Sequence, residues 1–130
     1  MRILLTLAAA AGLMLAPLSA SAIQNAARTV TYNTAYHQTH PAQTAGEVTG
    51  KMRLTFGSSG TVSGTYRDEF AGGISTVAGG VNGTNIWLSF GSRGGHQFHG
   101  VMHKDGTISG TLSNWHGPRT YHFTAVPTTS

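Results

Sequence analysis

Cysteine is absent from the 130 residues. That excludes disulfide staples and any thiolate metal site, so packing alone must hold whatever fold forms. Acidic residues are nearly as scarce, four Asp and Glu against eight Lys and Arg. The net charge of +4 therefore reflects missing acids rather than a dense basic patch. The cations beyond residue 2 (Arg28, Lys51, Arg53, Arg67, Arg93, Lys104 and Arg119) are scattered, with no run to track a phosphate backbone. Nucleic acid is not an expected partner. After residue 22 leucine occurs three times and glutamate twice, a composition that starves helices. No apolar run there approaches the ~20 residues a membrane-spanning helix needs.

What is present begins with Met1-Arg2, an apolar run from Ile3 to Leu15, Pro17 and the small-residue site Ala20-Ser21-Ala22. This is the layout of a secretory signal peptide, with cleavage expected near Ala22 and a periplasmic or secreted destination. The remaining residues divide into a leader (23–27), one domain (28–126) and a tail (127–130). Glycine occurs 18 times in the chain, and Thr, Val, Ile and aromatics fill the segments between glycines, which favours strands.

The segment His96 to Asn114 reads as one β-hairpin. Lys104-Asp105-Gly106 fits a three-residue loop, a type I turn followed by a left-handed glycine. It pairs Met102 with Ile108, Gly100 with Gly110, Phe98 with Leu112 and His96 with Asn114. Asn82-Gly83 reads as a type I′ turn, and Gly57-Ser58-Ser59-Gly60 as another tight connection. Applying the same pairing at each turn gives one inner face throughout. Its layers are Phe56, Val62, Val81, Thr84, Met102, Ile108 and Ala125; then Leu54, Gly64, Gly79, Ile86, Gly100, Gly110 and Phe123; then Met52, Tyr66, Val77, Leu88, Phe98, Leu112 and Tyr121. Gly50, Asp68, Ser75, Phe90, His96, Asn114 and Arg119 form the far end. A first strand, Arg28 to His37, closes against the last, Arg119 to Val126. The expected fold is all-β, a small antiparallel up-and-down barrel of about eight strands.

Eight short strands, tight turns and the segment Gly60-Thr61-Val62-Ser63-Gly64-Thr65-Tyr66 resemble the avidin and lipocalin group of calycin-type barrels. The resemblance implies a closed barrel with a ligand site inside. It does not extend to biotin, because only Trp87 and Trp115 are present and Trp87 points outward in this register.

The connections at one end are short turns; those at the other, 38–46, 69–74, 91–95 and 115–118, are longer and carry His40, Glu69, Arg93, Trp115 and His116. The register places Asp68, Ser75, His96, Asn114 and Arg119 inside that mouth, with Tyr66, Phe90 and Tyr121 beside them. Inward polar groups need partners, which points to a ligand site; a solvated rim would place the same residues there at no cost. The glycine layer Gly64, Gly79, Gly100 and Gly110 either opens a cavity or permits the bends that closure demands. His99 and His103 share a face but stand ~13 Å apart, and His99 and His122 ~10 Å apart two strands away, so no metal is expected. No nucleophile motif or phosphate loop is present, and no cofactor is expected.

The reading is an exported barrel that binds a small, partly apolar ligand, with Arg119 available for an anionic group. One alternative is a small-barrel isomerase, cyclase or lyase using His96 and Asp68. Another is a secreted interaction or inhibitor module, or a homo-oligomer, using the outer row Trp87, His99 and His122.

Overall fold

Period-two alternation of apolar and polar residues carries through eight segments, and each becomes a strand because one of its faces can be buried. The computed structural model describes residues 27–42, 46–69, 73–91, 95–114 and 119–128. The strands are β1 (Arg28–His40), β2 (Val48–Phe56), β3 (Thr61–Asp68), β4 (Ser75–Asn82), β5 (Asn85–Phe90), β6 (His96–Met102), β7 (Ile108–Asn114) and β8 (Thr120–Pro127). All pairings are antiparallel between chain neighbours, and β1 pairs with β8, so the sheet is a closed barrel. The expected signal peptide and nearly all of the leader lie outside the described residues. Among the described residues no helix is long and apolar enough to cross a membrane.

The β6–β7 hairpin has the expected register, Phe98 opposite Leu112 and Gly100 opposite Gly110. Gly106 has φ +90°, with His103 N donating to Thr107 O (2.8 Å) and Gly106 N to His103 O (2.9 Å). The β2–β3 turn repeats this geometry. Gly60 has φ +89°, Gly57 N donates to Thr61 O and Gly60 N to Gly57 O. Its loop is therefore Ser58-Ser59-Gly60, one residue shorter than the tetrapeptide read from sequence.

The β4–β5 turn differs from expectation. Asn82 pairs with Asn85, so the loop is Gly83-Thr84, and Gly83 alone has positive φ (+64°). A positive φ at the first loop position only is the type II′ pattern; type I′ would require it at both. Thr84 thus sits exposed in a turn instead of in the inner layer. β4 is also displaced against β3, Tyr66 facing Ser75 and Gly64 facing Val77. Both shifts are by two residues, so every β4 side chain keeps its face while changing its layer.

Further boundaries move. β1 runs on to His40, with a bulge between Gln38 and His40 against β8. β8 starts at Thr120 and ends at Pro127, which faces Tyr32, so Pro127 belongs to the barrel and not to a tail.

The layers are not flat rings. Across β2 and β3, Thr34 faces Gly50 and Gly50 faces Asp68. In the other direction Thr34 faces Ala125, Ala125 faces Ile108, and Ile108 faces Met102 at the opposite end. Tilting the strands, by roughly 35–45° in closed barrels, produces this stagger.

Inside lie Tyr32, Met52, Leu54, Phe56, Val62, Ile86, Leu88, Phe98, Ile108 and Phe123, all buried. Each such side chain contributes about 1.5–3 kcal/mol relative to exposure, and no crosslink assists them. The inward glycines are close approaches, not a void. A Cβ at Gly64 would lie 1.8 Å from Arg53 O, and one at Gly79 1.9 Å from Trp87 O. At the short-turn end Phe56, Val62, Ile108 and Ala125 fill the interior, and the Arg28 guanidinium covers the Phe56 ring at 4.8 Å. That end is closed.

Candidate functional site

The opposite end holds a cavity of about 330 Å³ lined by Tyr36, Tyr66, Asp68, Ser75, Phe90, His96, Leu112, Tyr121 and Phe123. Five of the nine are aromatic. Tyr66 meets Phe90 edge-on (5.2 Å, 78°), and Tyr36 meets Tyr121 the same way (5.4 Å, 88°). Phe123 sits below, 5.9 Å from Phe90, 6.2 Å from Tyr66 and 5.3 Å from Phe98, which seals the floor. Edge-to-face pairs fix ring orientation, so the walls are preformed.

The polar end of the cavity centres on Asp68. It is the last residue of β3, faces Gly50, and is 9% exposed. A Cβ at Gly50 would approach Arg67 O to 2.5 Å and Asp68 Cβ to 3.0 Å, so only glycine lets β2 and β3 close there. Tyr66 Oη donates to Asp68 Oδ2 at 3.1 Å. Burial pushes the Tyr66 phenol far above its ordinary range, and the Asp68 charge and hydrogen bond add to the shift. Burial, then the charge of Asp68, pushes Tyr36 up to about 12. Both phenols therefore stay neutral donors at any physiological pH. Thr34, 3% exposed, is the smallest influence on Tyr66 and acts in the opposite direction, but its own Oγ1 makes no hydrogen bond of ordinary geometry.

Of the residues proposed from sequence, Asp68, Ser75, His96, Tyr66, Phe90 and Tyr121 line this one cavity. Two do not. Arg119 precedes β8, is exposed, and is not part of the lining. Asn114 is half-buried at the end of β7, beyond the last pairing of Ser113 with Thr120, and is also off the lining. The alternation that would have placed Arg119 inside ends with the strand. Conversely, Tyr36, Leu112 and Phe123 line the mouth without having been assigned to it. The signal for Tyr36 was available in the alternation Val30, Tyr32, Thr34, Tyr36, since closing β1 against β8 turns that face inward.

On the outer surface Trp87, His99, Thr111, His122 and His37 lie side by side on adjacent strands. Trp87 is 44% exposed, and the His37 and His122 rings are 5.7 Å apart. Among the described residues no group of three or more His, Asp or Glu is placed to hold a metal ion. A larger trough of about 640 Å³ runs over β8, β1, β2 and β3 past Val126, Ala35, Lys51 and Arg67, and reaches Thr34 and Asp68. It is open to solvent, and a site that buries most of a small ligand needs walls on more sides.

No protein-family model matches the chain, and no curated protein matches it in sequence. The closed eight-stranded antiparallel barrel is compatible with a calycin-like architecture.

Proposed function

We propose that the protein is an exported binding protein, of the avidin and lipocalin type in its use of a barrel interior, that takes a small, partly apolar ligand into its open mouth. The observation supporting this is the preformed cavity of about 330 Å³, with five aromatic walls and a polar end at Asp68, Ser75 and His96. That size is at the small end of ligand pockets. Arg119 stands off this lining, so the reading gives it no part in holding the ligand.

Native mass spectrometry of protein purified from its own host tests the reading. A retained small molecule, lost on His96→Ala or Tyr121→Leu and kept on His99→Ala, is the expected result. Mass identical to the bare chain in wild type, at every declustering energy, would overturn it. Asp68 and His96 on one cavity also suit a proton-transfer enzyme. Recovery of a chemically altered ligand would establish that reading instead.

A further inference from the structure

We propose that the mouth selects a small organic cation, an alkylammonium head group held between Asp68 and the faces of the surrounding aromatic rings. This rests on the ligand-binding reading above and adds the charge of the ligand. Two independent features point the same way. The first is the carboxylate. Asp68 is buried at the cavity wall and receives the Tyr66 hydroxyl, and its charge reaches Tyr36 as well. A buried carboxylate is favoured by a cation placed beside it, and repels an anion.

The second feature is the set of rings. Tyr36, Tyr66, Phe90, Tyr121 and Phe123 surround the space. Ring faces carry negative quadrupole potential, and several rings around one point form the cage that recognises quaternary ammonium groups. Among the described lining residues His96 is the one nitrogen base. Lys51 and Arg67, opposite each other across β2 and β3 next to the Gly50–Asp68 pair, are exposed and line the outer trough that Asp68 also reaches, not this cavity. A trimethylammonium group with a two- or three-carbon tail fits a space of about 330 Å³.

The experiment uses three probes of one shape: choline, its neutral carbon isostere 3,3-dimethylbutan-1-ol, and the anion 3,3-dimethylbutanoate. Each is titrated into the full chain and followed by NMR of the tyrosine and phenylalanine rings, with the Trp87 indole as the outer-face control. Choline is expected to bind at least ~10-fold tighter than the isostere, with shifts at the mouth rings and not at Trp87. In Asp68→Asn that preference is expected to fall to within about twofold. Because the comparison among probes is complete in wild type, it stands even if Asp68→Asn does not fold. Equal binding of the neutral isostere, or tighter binding of the anion, overturns the cation proposal and leaves the mouth a ligand site. Absence of mouth-ring shifts with all three probes, or shifts at Trp87 alone, overturns the cation proposal and removes support from the ligand-site reading too.

Discussion

Gly106 and Asp105 show how much a single turn position decides. At φ +90° a β-branched side chain is strained. Gly106→Val is expected to cost about 2–3 kcal/mol, a fall of ~10 °C or more in Tm for a domain of this size. Gly60→Val should match it, because Gly60 occupies the same place in the β2–β3 loop. Gly57→Ala should cost less; its new Cβ meets Thr61 Oγ1, the end of a side chain that can turn away. Thermal melts of the three variants check the order. Asp105 accepts a hydrogen bond from Thr107 N at 2.9 Å, which holds its carboxyl below the usual range. A lowered pKa contributes stability above the unfolded value, lost as pH falls through the folded one. Wild type and Asp105→Ala should therefore melt closer together near about pH 2 than near about pH 6.

At the scale of the strand, close approach and burial set the expectations. Gly64→Ala puts a methyl group into the backbone of β2, and Gly79→Ala into that of β5. Each is expected to cost ~3 kcal/mol and to lower the denaturant midpoint without changing the slope. Tyr32, Tyr36 and Tyr66 project inward from β1 and β3, and burial raises the pKa of all three above 10. A raised phenol pKa contributes stability that is complete below pH 10, where unfolded tyrosines are still neutral, and is lost as pH rises towards the folded value, about 12 for Tyr36. An ultraviolet titration should show these rings resisting ionisation until the barrel opens. Early ionisation of Tyr32, Tyr36 and Tyr66 in folded protein would contradict their burial inside the barrel.

For the whole molecule, the face of nearly every strand residue was legible from the sequence, as was the register of β2–β3, β5–β6, β6–β7 and β7–β8; the height of β4 along the barrel was not. Period two survives any shift of two residues, so Val77, Gly79 and Val81 were placed inside correctly while their neighbours were misassigned. The 69–74 connection has no turn signature to count from, unlike Lys104-Asp105-Gly106. Six of the eight proposed site residues still meet at one cavity, because hairpin parity carries them there. Arg119 was misplaced because it stands one residue before β8, where the alternation of the strand ends. The functional test at this scale follows: Arg119→Ala and His99→Ala should leave ligand retention unchanged. Removing the Tyr121 ring should reduce retention about tenfold or more, with circular dichroism unaltered.

The junction of β1 with β8 has a consequence for chain connectivity. Thr128 N donates to Thr31 O at 2.9 Å, so the two ends of the barrel chain lie side by side at the closed end, away from the cavity. The order in which the eight strands are threaded is thus arbitrary from the standpoint of the cavity. A circular permutant that joins residue 128 to residue 28 through a short glycine linker, and opens at the Gly83-Thr84 turn, should fold to the same barrel with its mouth unobstructed.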